Sequence, residues 1–198
     1  MKKLFLILKS NHKLLWGFVI FALVGVGCQN PSPNGPNEAA TPTPIQMQVF
    51  ESDAPITLLY PVDWQFMLPR QGILIFGEEQ TLFKSQPGAV FTVLRVPNHQ
   101  VHGDLEGEFN HYLDFGPRRD NYQEIEEVAE ITIGERKALT VRMNFPGDDE
   151  RLPFETNITA VETESGAVYI LSETAPSDVW EEHQASFSAI LGSISFKE

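Results

Sequence analysis

The chain has 198 residues, enough for one ordinary domain with appendages and too few for two full ones. It carries 14 Lys and Arg against 27 Asp and Glu, a net charge of −13. Residues 1–28 hold four of the cations (Lys2, Lys3, Lys9 and Lys13) and no acid, so the rest carries ten bases against 27 acids, a net of −17. A body so acidic lacks the clustered cations that phosphate contacts require, which excludes a nucleic-acid partner. With Cys28 as the only cysteine, an internal disulfide or a thiolate metal cluster is excluded too.

The first segment reads as an address. Positions 1–13 are basic and Leu-rich, and Leu14 to Gly27 (LLWGFVIFALVGVG) contains no charged or polar side chain. That run is short of the roughly 20 apolar residues a membrane-spanning helix needs. A longer anchor starting at Leu4 would have to bury Lys9 and Lys13, which is costly. A basic start, a short apolar run and small residues before a cut site form the pattern of a secretory signal over residues 1–27. Gly25-Val26-Gly27-Cys28 resembles a bacterial lipobox, with Gly25 where Leu is usual. The resemblance implies that Cys28 becomes the mature N-terminus, takes a diacylglyceryl group on sulfur and receives a further acyl chain such as palmitate. Such chains at about 0.8 kcal/mol per buried CH₂ hold a protein stably on a membrane, where a single chain binds only marginally.

Residues 28–45 continue as QNPSPNGPNEAATPTPI after the cysteine, rich in Pro, Asn and Thr. They cannot bury enough apolar surface to offset the entropy of ordering, so the expectation is a disordered tether. Fully extended, it would reach roughly 50 Å at about 3.1 Å per residue.

From position 46 the pattern turns to short apolar runs of period 2. Residues 56–60, 73–76 and 90–96 are strand-like, bounded by Pro, Gly and Asn. Ala129, Ile131 and Ile133 alternate with Glu130 and Thr132, then Gly134-Glu135-Arg136 turns the chain into Leu139, Val141, Met143 and Phe145. A second hairpin runs through Phe154, Thr156, Ile158 and Ala160, turns at Glu164-Ser165-Gly166, and returns over 167–171. Such short connections force antiparallel neighbours. The expectation is a meander with one face packed and the other more polar.

Two segments repeat at 3–4 residues instead. Asp104 caps a helix carrying Leu105, Phe109, Tyr112 and Leu113, stopped by Gly116-Pro117; Gly107 weakens it. Ser177 is the expected cap of a second, in which Trp180, His183, Phe187, Ile190 and Leu191 face one way and Gly192 ends the run. A last strand at 194–196 closes the chain. The fold class is therefore α+β, an antiparallel β-sheet flanked by helices over residues 46–198.

Tyr60-Pro61-Val62-Asp63-Trp64 resembles the Y-P-x-x-W opening of PsbP-like domains, and the meander, aromatic-rich C-terminal helix and terminal Ser193-Ile194-Ser195-Phe196 follow in that family's order. The family is named for an extrinsic photosystem II subunit and includes many bacterial lipoproteins. The resemblance implies an α/β/α sandwich. Tyr60, Pro61 and Trp64 themselves read as a turn anchored by core aromatics.

Several groups could carry chemistry. His99, His102 and Asp104, with His111 further on, offer imidazole and carboxylate donors that would grip a transition metal if the loop folded back. Gly147-Asp148-Asp149-Glu150 is acidic but lacks the spacing of a calcium loop. Glu126, Glu127 and Glu130 fit an exposed strand face better than a glycosidase pair. Asn157-Ile158-Thr159 matches a glycosylation acceptor placed in mid-strand. No Gly-x-Ser-x-Gly, His-Glu-x-x-His or glycine-rich phosphate loop occurs, and Ser-x-x-Lys occurs only in the basic leader, at Ser10–Lys13.

The reading is a membrane-anchored, extracytoplasmic lipoprotein of the cell envelope, a non-catalytic binding or assembly-accessory module without a cofactor, held by lipid on Cys28 and serving a protein partner or small ligand. Exposed aromatics should mark its binding face, with Phe66, Phe83, Phe115 and Phe154 as candidates. A metal-binding accessory protein using His99, His102 and Asp104, or a small hydrolase with an unrecognised site, are the alternatives.

Overall fold

A computed structural model describes residues 44–51, 54–96, 102–148 and 151–197. Cys28, His99 and residues 149–150 of the acidic loop lie outside the described residues, as do the leader and most of the tether. In chain order the elements are β1 (Met47–Phe50), β2 (Ile56–Pro61), β3 (Trp64–Arg70), β4 (Ile73–Glu78), α1 (Glu79–Lys84), β5 (Val90–Val96) and α2 (Leu105–Phe115). A 3₁₀ turn (Pro117–Asp120) leads to β6 (Gln123–Glu124), β7 (Ala129–Ile133), β8 (Arg136–Phe145), β9 (Phe154–Glu162), β10 (Val168–Pro176), α3 (Trp180–Gly192) and β11 (Ser195–Phe196).

The architecture is α+β with antiparallel sheets. The main sheet runs β3-β4-β5-β10-β9-β8-β6, with β7 also paired to β8, and a small sheet runs β1-β2-β11. Residues 56–60 are a strand as expected, and they lie in the small sheet between β1 and β11.

The main sheet is covered on both faces, which corrects the one-sided meander. On one face Leu105, Phe109 and Leu113 of α2 pack against Leu139, Val141, Met143, Ile158 and Ile170. On the other, Trp180, Phe187 and Ile190 of α3 join the small sheet's Phe50, Leu58 and Tyr60 over Phe76, Phe91, Val93 and Leu171. Along β10, Val168 and Ile170 point to the α2 layer while Tyr169 and Leu171 point to the α3 layer. Both parities of that strand are apolar because both faces are buried, the signature of an interior strand.

Tyr60 and Trp64 are buried on either side of the turn that carries the chain from the small sheet to the main one. Trp64 meets Phe187 edge-on at 6.0 Å and Tyr60 sits 5.2 Å from Phe76, so the Y-P-x-x-W segment does anchor a turn in the core.

Asp104 caps α2 as expected, its carboxylate accepting the Gly107 N–H at 2.8 Å. Gly107 is required by that cap rather than tolerated, because a Cβ there would collide with the His102 carbonyl oxygen. Ser177 is not the cap of α3: the helix starts later, with Val179 at the cap position and no side-chain cap bond. The Ser177 N–H is taken by the Pro153 carbonyl, which holds the turn one step before the helix. Elements not expected were β1, β3, β6 and α1. Pro69 and a register shift between Met67 and Arg70 blunt β3, as befits an edge strand, and α1 is too short to show a helical period.

Because both faces are packed, Phe109→Ala on the α2 side and Phe76→Ala on the α3 side should each cost about 3–5 kcal/mol. Urea midpoints would show this, and a Phe109 variant of wild-type stability would contradict the two-sided core.

Candidate functional site

The α3-facing surface of the main sheet changes character from one side to the other. Its apolar centre gives way, on β8, β9 and β10, to Thr140, Arg142, Glu155, Asn157, Thr159 and Glu173. The register places Arg142 opposite Asn157, Thr140 opposite Thr159, and Asn157 opposite Glu173, so these side chains share one face. Beneath α3, Thr140, Arg142, Asn157 and Glu173 form the floor of a cavity of about 300 Å³, with Glu126 at its edge and Trp180, Gln184 and Phe187 as its roof.

The floor is a connected polar network. The Thr140 hydroxyl lies 3.0 Å from both Asn157 Oδ1 and the Thr159 hydroxyl, and Asn157 Nδ2 donates to Glu173 Oε2 at 2.9 Å. Glu173 is only 7% exposed. Burial pushes its carboxyl above the usual glutamate value, and the Asn157 amide partly offsets this by favouring the ionised form.

Arg142 closes the side. Burial works against its charge, yet Glu155 at 2.6 Å and Glu126 at 3.4 Å more than compensate and raise its pKa. Its guanidinium also lies 5.2 Å from the Trp180 ring. Trp180 Nε1 is buried without a hydrogen-bond partner among the described residues.

The buried acid is bonded to an amide, and the Thr140 hydroxyl is spent on Asn157 and Thr159 rather than set beside a base. A ligand offering both donors and acceptors would complement Glu173, Asn157 and Gln184. None of these positions was singled out from the sequence as part of a cavity. Asn157 was noted only as a glycosylation acceptor, yet it is the centre of the network. The signal was available in β10, where Tyr169 and Leu171 set an inward parity that Glu173 then breaks with a carboxylate.

Of the other residues with candidate chemistry, Glu126 lines this cavity and the rest of those described lie away from it. Asp104 is engaged by the α2 cap. His102 Nδ1 lies 3.0 Å from the buried Glu108, and its ring stacks on His111 at 3.7 Å, with Phe115 beyond. Among the described residues no group of three or more His, Cys, Asp or Glu is placed to hold a metal ion. Glu126 pairs with Arg142 and Glu130 with Lys137. In the acidic loop, Asp148 is clamped by Arg151 at 2.6 Å. Phe66, Phe83 and Phe115 are 41%, 58% and 68% exposed, whereas Phe154 is half-buried. Among the described residues no helix is long and apolar enough to cross a membrane.

The class of fold is thus an antiparallel α+β sandwich of PsbP-like form, and the solved structures that match it agree. Cyanobacterial PsbP (CyanoP) from Synechocystis sp. PCC 6803 matches with a TM-score of 0.53 at 13% identity, over 82% of this chain and 99% of that one. LpqN, involved in cell envelope biogenesis of Mycobacterium tuberculosis, matches with a TM-score of 0.50 at 17% identity, over 78% of this chain and 92% of that one. The Saccharomyces cerevisiae Ran-binding protein Mog1p matches with a TM-score of 0.53 at 10% identity, over 78% and 97%. The chain spans 46% of the length of a Bacteroides thetaiotaomicron protein, at 12% identity, over 73% of this chain and with a TM-score of 0.47. No family model matches the chain, and no characterised protein matches it in sequence. At these identities the likeness establishes the fold alone.

Glu173 gives a pH prediction. Its folded carboxyl holds the proton more tightly than the unfolded chain does, so its stabilising effect is complete below the ordinary value of 4.5 and is lost as the pH rises through the higher folded value. Glu173→Gln should remove that loss. Denaturation midpoints taken from about pH 4 to about pH 8 would fall less steeply for the variant than for the wild type. Parallel profiles would contradict the assignment.

Proposed function

We propose that the protein is a lipid-anchored, extracytoplasmic binding module that serves assembly at the cell envelope and catalyses no reaction. The observation that carries this reading is the cavity beneath α3, whose one burial-shifted acid, Glu173, is paired with the Asn157 amide and not with a nucleophile or a second carboxylate. Such a floor recognises a ligand without a proton-transfer partner to turn it over. Exposed Phe66, Phe83 and Phe115 supply apolar contact area for a partner elsewhere on the body.

The anchor rests on the sequence. A cysteine directly after an apolar leader, followed by a Pro- and Asn-rich stretch, suits a body held off a bilayer. The reach of the tether, about 50 Å, exceeds the roughly 8 Å Debye length at physiological salt, so an acidic body can stand clear of an anionic surface. The fold's occurrence in LpqN, named for envelope biogenesis, and in the Ran-binding Mog1p supports an accessory or binding role over a catalytic one.

Two substitutions test the halves separately. Cys28→Ser should leave the chain without the added acyl mass and out of the membrane fraction, read by intact mass and fractionation; an unchanged mass shift or location would contradict the anchor. Gln184→Arg, on the cavity roof, should remove partners or ligands that co-purify with the wild type from the envelope while leaving stability within about 0.5 kcal/mol. Identical co-purifying species would show that the cavity does not bind them.

A further inference from the structure

A second cavity, of about 380 Å³, opens on the same layer at the opposite side of the sheet, between the start of β2, the β3–β4 turn and the end of β5. Its walls are Ile56, Leu68, Leu74, Val93 and Tyr169, with Gln71 at its edge, and among the described residues its one charged lining residue is Arg95. The volume lies in the range of ligand pockets, about 300–1,000 Å³, and the mixture of an apolar wall with a single placed polar group is what such pockets show.

Arg95 is out of place by the logic of the strand. Along β5, Phe91 and Val93 point into the α3 layer, and Arg95 is the next residue of that parity, directly opposite Tyr169. A guanidinium there would ordinarily bond an acid, yet among the described residues no acidic side chain lines the cavity and Arg95 Nε is buried without a hydrogen-bond partner. Two backbone acceptors beside it already take other donors: the Gly72 carbonyl accepts the Arg95 backbone N–H at 2.8 Å, and the Pro55 carbonyl lies 3.4 Å from the Tyr169 hydroxyl. A buried donor left unmade in the empty site is costly unless something supplies an acceptor.

We infer that this cavity binds a carboxylate-headed aliphatic chain, the carboxylate on Arg95 and the chain along Ile56, Leu68, Leu74 and Val93. A guanidinium and a carboxylate match in charge and in fork geometry, and the apolar wall takes the methylenes. The body's net negative charge elsewhere repels anions, so the apolar wall and the one local cation together select an anion with a tail. This site is separate from the polar cavity beneath α3, and it stands whether or not Cys28 is lipidated.

The test uses the full chain reconstituted in phosphatidylcholine nanodiscs, with empty nanodiscs as baseline, and measures binding of hexanoate, octanoate and octanol by ligand-observed NMR. Octanoate should bind more tightly than hexanoate by about fourfold per added methylene. Arg95→Gln should weaken octanoate by about tenfold or more and leave octanol unchanged. Should Arg95→Gln fail to fold, Gln71→Glu, which adds a competing carboxylate at an exposed lining position outside the apolar wall, should weaken octanoate and spare octanol. Equal loss of octanoate and octanol, no dependence on chain length, or no binding would overturn the inference. Binding seen only in the Cys28→Ser chain would assign the cavity to the protein's own acyl chain and overturn it equally.

Discussion

A sheet covered on both faces leaves no inward position where a polar side chain is free of consequence, and this constraint organises the molecule. α2 lies on one surface; α3 and the small sheet lie on the other. Every second residue of β5, β8, β9 and β10 is therefore either apolar or must find a partner in a poorly solvated layer. On the α2 side the apolar residues are interrupted by hydroxyls, Thr92, Thr156, Ser172 and Thr174, with those of Thr156 and Thr174 2.9 Å apart. On the α3 side the interruptions are stronger: Phe76, Phe91, Val93 and Leu171 hold the centre, a carboxylate–amide–hydroxyl network holds one flank, and a lone guanidinium holds the other.

The two flanks differ in how their polar groups are resolved. Glu173, Asn157, Thr140 and Thr159 satisfy one another, and Arg142 is neutralised by Glu155 and Glu126. That network is complete without a ligand except at Trp180 Nε1, so its cavity suits reversible recognition of a small polar group. Arg95 is resolved by nothing described, so its cavity asks for an anion. In the proposed reading both sites sit on a body carried above a membrane by a tether, where recognition rather than turnover is the function that tether and acidic surface serve.

Much of the fold was legible in the chain because its signals are local. The 129–145 hairpin could be read from alternation, α2 from Asp104 and Gly116-Pro117, and the Y-P-x-x-W turn from its aromatics. What was not legible depended on tertiary context. One polar face was expected because Thr140, Arg142 and Asn144 alternate with apolar residues, and nothing local reveals that α3 folds back over them. Ser177 looked like a cap, but α3 begins three residues later, with Val179 at the cap position, and the Ser177 N–H is held by the Pro153 carbonyl just before β9. Gly107 looked like a weakness until the His102 carbonyl was seen to occupy its Cβ position. The candidate sites were legible only in hindsight and by one rule. Glu173 and Arg95 each stand where the parity of their strand demands an apolar residue, whereas His102 and Asp104 lie at the start of α2 and Asp148 in a loop.

The central claim is that the polar floor beneath α3 serves recognition and not folding. Replacing both members of the buried pair by apolar groups, Asn157→Leu with Glu173→Leu, separates the two, since exchanging both partners of a buried polar pair is often neutral or stabilising. A melting temperature equal to or above the wild type, together with loss of whatever co-purifies through the α3 cavity, is the expected result. A melting temperature lower by about 5 °C or more, with binding retained, would mean that the network is structural and would contradict the account.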